Sequence, residues 1–153
     1  MVWKPHVTVA AVIEQDNQFL LVKEYTKDGI RFNQPAGHLE NNENLIEAIV
    51  REVYEETAGH FVPQSLIGLQ LWQKHEIAPT FLRVCFQGRI DSFDENQPLD
   101  DEIISTHWLT LKEIQTLTSQ LRSPLVLKSI QSYLSGETYP LTLLKSYLNL
   151  HHE

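Results

Sequence analysis

The chain has 153 residues, 42% apolar and 21% charged, with one cysteine and therefore no disulfide within the chain. That size and balance let it bury a core of its own and exclude wholesale disorder, collagen-like repeats and low-complexity architecture. Twelve Lys and Arg stand against 20 Asp and Glu, a net charge of −8, so non-specific nucleic-acid binding is not expected, although carboxylates holding divalent cations can still accept a phosphate-bearing substrate.

The first residues, Met1 to His6, lack the basic stretch and apolar run of a signal peptide, and the longest apolar run, Val7 to Ile13, is too short to cross a bilayer. The expectation is a single domain over residues 1–153, in the cytoplasm and with no membrane association. Val7, Val9, Ala11 and Ile13 alternate as in a strand, Gln15-Asp16-Asn17 is a turn, and Phe19 to Lys23 returns as the second strand of a hairpin. Asp28-Gly29 turns the chain again before an extended piece at Ile30 to Phe32. Pro35, Ala36 and Gly37 break regular structure.

From N-cap candidates in Asn41 to Asn44 the pattern becomes helical up to Thr57, with Leu45, Ile46, Ile49, Val50 and Val53 on one side and Gly59 as the stop signal. Ser65 to Trp72, Phe81 to Ile90 and Ile103 to Leu109 read as strands. Leu111 to Leu121 reads as a helix, and a further one starts at Ser123-Pro124, Ser as cap and Pro at the first helical position, ending at Gly136. Strands, helix, strands, helices imply an α/β (α+β) sandwich: a mixed β-sheet flanked by helices on both sides.

The first helix is where chemistry is concentrated. At about 100° per residue, Glu55 lies roughly 60° to one side of Glu52 and Glu56 roughly 40° to the other, so three carboxylates share an arc of about 100°. Left unneutralised, such pairs cost roughly 0.2–0.5 kcal/mol each, and they sit in the C-terminal half of the helix, where its dipole opposes negative charge. Glu56 also points close to the apolar stripe. A hard divalent cation would suit this cluster. An ordinary solvated face, with Arg51 pairing Glu47 and Glu55, is the competing reading.

Fixed spacings favour the first. Gly37, Glu43, Arg51, Glu52, Val53, Glu55 and Glu56 match the pattern G-x5-E-x7-R-E-U-x-E-E-x-G-U, with U a bulky aliphatic. The stretch resembles the signature box of the Nudix hydrolases. Its last two positions depart, with Ala58 where Gly is expected and Gly59 where an aliphatic is expected, which implies a helix running one residue further before its Gly stop. KPHVTVA, FNQPAGHLE, Pro79 to Arg83, LRSPLV and Tyr139-Pro140-Leu141 extend the resemblance to the NudJ-type phosphatases of that family.

The resemblance implies Mg²⁺- or Mn²⁺-dependent hydrolysis of phosphoanhydride bonds, with orthophosphate released from nucleoside tri- and diphosphates, from a pyrimidine pyrophosphate and from thiamine pyrophosphate. It implies Glu52, Glu55 and Glu56 as metal ligands, helped by the backbone at Ala36 or Gly37, with Arg51 and Glu43 orienting them. The general base is then Glu52 or a carboxylate of Asp100-Asp101-Glu102, where Glu102 is also a candidate ligand; a solvated acidic loop is the alternative for that run. His6, Asn33, Gln34, His38 and Arg83 are candidate substrate contacts, Asn33 and Gln34 for a base or pyrimidine edge and Arg83, with Lys23, for phosphates. Trp72 and Phe81 can stack on a ring or serve the core, and Cys85 reads as a buried inert thiol. His151 and His152 are not expected to be ligands. The partner is a small nucleotide or pyrimidine pyrophosphate, and a monomer is expected. Two alternatives keep the box: hydrolysis of ADP-ribose, dinucleoside polyphosphates or 8-oxo-dGTP, and a catalytically silent nucleotide-binding module.

Overall fold

The structure, a computed structural model, describes residues 1–149, so His151 and His152 lie outside the described residues. Strand β1 (His6–Gln15) passes through a two-residue turn into β2 (Gln18–Thr26). Asp16 and Asn17 both have positive φ, 52° and 63°, the turn geometry whose twist suits a tight hairpin and which Asp and Asn tolerate. β3 (Gly29–Asn33) returns along β2, which also pairs antiparallel with β7 (Ile103–Thr110).

β1 is the hinge of the architecture. It runs parallel to β6 (Thr80–Phe93), antiparallel to the three-residue β4 (Ala36–His38), and β5 (Gly59–Gln73) closes the far side of β6. The sheet is therefore mixed. Successive side chains of a strand point to opposite faces, so the unbroken apolar run of β1 feeds two cores. Val9, Ala11 and Ile13 meet Ala48, Ile49 and Val53 of helix α1 (Leu45–Thr57), together with Leu66, Val84 and Phe86. Val12, with Phe19, Phe32, Ile67 and Cys85, meets Ile114 of α2 (Leu111–Gln115) and Val126 and Ile130 of α3 (Leu125–Leu134) on the other face. Cys85 is free and buried. Among the described residues no helix is long and apolar enough to cross a membrane.

Several expectations change. Pro35 does interrupt the chain, but Ala36 to His38 form β4, because Thr8, Val9 and Ala10 offer an antiparallel edge there. β5 begins at Gly59 rather than Ser65 and carries Pro63 at a shift in register, where a missing N–H is tolerated. The helix expected over Leu111 to Leu121 ends at Gln115 and continues only as a single 3₁₀ turn at Thr118–Gln120.

The end of α1 also differs. Asn44 caps its start with a reciprocal pair, its Oδ1 accepting from the Glu47 N–H at 2.8 Å while Glu47 Oε1 accepts from the Asn44 N–H at 3.1 Å. The helix stops at Thr57, and the left-handed terminator is Ala58 (φ 62°, ψ 15°), not Gly59. Gly59 is needed elsewhere: a Cβ there would meet Ile90 at 2.9 Å and Phe93 at 3.0 Å inside the β5–β6 pairing.

Candidate active site

The carboxylate edge of α1 lies against β4. Glu52 and Glu56 are among the few buried charged residues, 8% and 7% exposed. Glu56 Oε1 accepts the Ala36 N–H at 2.9 Å, which ties the helix to the strand. One residue on, a Cβ at Gly37 would lie inside van der Waals contact with all three atoms of the Glu52 carboxylate. Glycine is thus required by close approach, and β4 pairs with β1 through Val9 opposite Gly37.

Arg51 holds the cluster together. Its Nε and Nη2 donate to the two oxygens of Glu43 at 2.9 and 2.7 Å, the bidentate geometry a guanidinium fork suits. Nη1 donates to Glu52 at 2.8 Å and Glu55 at 3.2 Å, and Nη2 also reaches the His38 carbonyl at 3.0 Å. Glu43 in turn accepts the Glu40 N–H at 2.8 Å. Hydrogen bonding to Arg51 holds the Glu43 carboxyl below its ordinary pKa and the guanidinium above its own. One cation thus orients three carboxylates.

Glu52, Glu55 and Asp100 each present an oxygen within 4.8 Å of the others. Asp100 is brought there because its N–H donates to the Glu55 carbonyl at 2.9 Å at the end of the loop before β7. Burial pushes the Glu52 carboxyl up to about 7, against the opposing pull of Arg51. Burial raises Glu56 well above the carboxylate range too, with Glu24 and Glu52 adding like charge. Carboxylates that burial leaves this reluctant to ionise are short of positive charge. An all-oxygen donor set facing a glycine that leaves room for it fits a hard divalent cation.

These groups form one wall of a cavity of about 710 Å³ that Asn33, His38, Trp72, Phe81, Arg83, Glu102 and Arg122 also line. Asn33 and Arg83 meet at 3.4 Å. Arg83 is 6% exposed and its other donors go to Gln34 Oε1 (2.8 Å), Ser129 Oγ (2.9 Å) and Gln70 Oε1 (3.2 Å). Gln34 lies beneath the cavity, 1% exposed, with its Nε2 donating to the Val126 carbonyl at 2.8 Å. The Trp72 and Phe81 rings stack 6.1 Å apart. His6 packs against the rings of His38 (5.7 Å) and Phe81 (5.3 Å), two residues of the cavity lining. Lys23 lies on the other face of β2, 5.7 Å from the Phe32 ring.

One residue escapes sequence reasoning and a second is only partly singled out by it. Glu24 is buried at the cavity wall and bonded by Arg122 Nη1 at 2.5 Å; burial raises its pKa despite Arg122. Its signal is a charge in phase with Leu20 and Val22 on a strand that otherwise points apolar groups inward. Asp100 is visible only as part of an acidic run. Three adjacent acids in a loop do not say which one the backbone will turn toward α1.

The model of the NUDIX domain matches residues 4–128. The phosphatase NudJ of Escherichia coli K12 is 41% identical over 145 residues, covering 95% of this chain and 94% of the relative, and the NudJ of Shigella flexneri matches equally. A solved NUDIX hydrolase from Nitrosomonas europaea superposes with a TM-score of 0.91 at 45% identity, covering 94% of this chain and 98% of that one. A MutT protein from Methanosarcina mazei Go1 shares the fold at TM-score 0.71 and 22% identity, over 90% and 99% of the two chains. The chain belongs to the Nudix hydrolase family, and it is a hydrolase.

Proposed function

We propose that this enzyme cleaves phosphoanhydride bonds in nucleoside tri- and diphosphates and in related pyrimidine and thiamine pyrophosphates, releasing orthophosphate, and that it needs Mg²⁺ or Mn²⁺ to do so. The observation that carries the reading is the convergence of Glu52, Glu55 and Asp100 within 4.8 Å beside the cavity. The 41% identity to a phosphatase along nearly the whole chain supports the orthophosphate product.

Glu52, Glu55 and Asp100 would hold the cation, with Glu56, the Gly37 backbone and Glu102 as further donors. When bound, it supplies neutralising charge for the phosphates and lowers the pKa of water. Arg51, anchored by Glu43, fixes the carboxylates of Glu52 and Glu55 before substrate arrives, as outer groups do in metal sites. Glu52 is the first candidate for the base, because its carboxylate faces the space that Gly37 leaves open beside the other acids. Asn33 and His38 would meet the nucleoside or pyrimidine part, Arg83, held in place by Gln34, would steady Asn33, and His6 would back His38. The enzyme would act as a single-domain monomer in the cytoplasm.

A phosphate-release assay over GDP, GTP and thiamine-related pyrophosphates, with and without Mg²⁺, tests this. Metal-dependent orthophosphate is expected, and Glu52→Gln and Glu56→Gln should each lower kcat by about 10²-fold or more with an unchanged fold. Pyrophosphate or two nucleoside monophosphates as products would move the cut to another bond. Near-normal turnover in both variants would remove the carboxylates from their roles.

A further inference from the structure

A second cavity, about 910 Å³, adjoins the one just described, and both are lined by Trp72, Arg122 and Ser123. Its charge is opposite to that of the protein. Arg31, Lys74, Arg122 and Lys128 line it against a single acid, Asp28. Four of the chain's 12 cations thus converge on one hollow of a molecule with net charge −8.

Little nearby neutralises them. Among the described residues Arg31 and Lys128 have no carboxylate within 4.0 Å, and the Lys74–Asp28 pair is exposed at 3.5 Å. Arg122 is bound to Glu24, at the boundary between the cavities. The first turn of α3 supplies part of the wall, so the positive end of that helix dipole adds to the field. Clefts lined by one sign of charge concentrate counter-ions of the other.

We propose that this cationic cavity is an annex of the active site that binds a phosphate group lying beyond the bond that is cut, reached past Arg122 and Trp72. The same chemistry would take that phosphate from the far end of a longer substrate or from free orthophosphate. The inference rests on the hydrolase reading for its meaning but not for its binding test.

Inorganic tripolyphosphate is titrated calorimetrically into the full-length protein in EDTA, so that no cation can bridge it to the carboxylates. Saturable binding is expected, weakened about tenfold in Lys128→Glu and in Arg31→Glu. With Mg²⁺ present, KM for a dinucleoside tetraphosphate should rise about tenfold in both variants while KM for GDP stays put, if the phosphate belongs to the substrate. If it is free orthophosphate, added orthophosphate should change GDP turnover in the parent protein and not in the variants. Tripolyphosphate binding that is absent, or equal in all three proteins, overturns the annex. Binding that persists while neither nucleotide is hydrolysed rejects the proposed nucleotide substrates instead.

Discussion

Gly37 and Glu52, 15 positions apart, occupy each other's space: a side chain on the first would sit on the carboxylate of the second. Gly37 does not have a positive φ, so its backbone accepts alanine. Restricting the unfolded chain would even favour Gly37→Ala by about 0.4–1 kcal/mol. The cost falls on the Glu52 carboxylate, which must rotate away from Arg51 and Asp100. Turnover should fall about 10²-fold with a melting temperature within a few degrees of the parent, read by phosphate release and thermal denaturation on the same preparation. Parent-like turnover would detach that carboxylate from the chemistry.

Ala58 is left-handed where the family's pattern has glycine. A non-glycine residue there costs roughly 1–2 kcal/mol, and glycine returns about 0.4–1 kcal/mol of that through greater freedom when unfolded. Ala58→Gly should therefore stabilise by about 0.5–1 kcal/mol and raise the melting temperature by about 1–4 °C. Calorimetric melting checks it. A lower melting temperature would mean that the small Ala58 side chain, 6% exposed, packs well enough to offset its strain.

The same residue shows what the sequence could reveal. Helical periodicity from Leu45 and the cap at Asn44 are local properties, and α1 follows from them. So does the turn at Asp16-Asn17. The helix end is not legible, because glycine at 59 serves a strand contact with Ile90 and Phe93, which lie 31 and 34 residues further along the chain. β4 was hidden because three residues carry no periodicity and β1 makes them a strand. In the site, fixed spacing picks out Arg51 and its acids. The choice of Asp100 from its run depends on one long-range backbone hydrogen bond to Glu55.

Burial of carboxylates makes stability depend on pH. Glu52, Glu56 and Glu24 all have pKa values above their ordinary 4.5 in the folded protein. An acid that holds its proton more tightly when folded contributes stability that is complete below the unfolded value and lost as pH rises through the folded one. For Glu52 that window runs from 4.5 to about 7. Glu43, held low by Arg51, acts oppositely, its contribution being lost only as pH falls below the window. In EDTA, therefore, the melting temperature should decline between about pH 5 and pH 8. Added Mg²⁺ should restore it chiefly at the upper end, where protons no longer compete for the ligands. Thermal melts at the two pH values, with and without metal, give four numbers; a metal effect equal at both would contradict these carboxylates as the linked groups.

Arg83 is a buried cation held only by neutral oxygens among the described residues: Gln34, Ser129, Gln70 and, more loosely, Asn33. Four acceptors in different directions match the flat fork of a guanidinium, and an ammonium on a shorter stem cannot reach them all. Arg83→Lys keeps the charge but strands at least one acceptor, and Ser129 and Gln34 are too deeply buried, 0% and 1% exposed, for water to compensate readily. The expected loss is about 1–3 kcal/mol, or roughly 2–4 °C of melting temperature per kcal/mol for a chain of this size. Because Arg83 also steadies Asn33 at the cavity wall, KM should rise in the surviving folded enzyme while kcat changes less, since the carboxylates of α1 are untouched. An Arg83→Lys protein that melts like the parent, or one that loses kcat at constant KM, would show that this network neither supports the fold nor shapes the cavity.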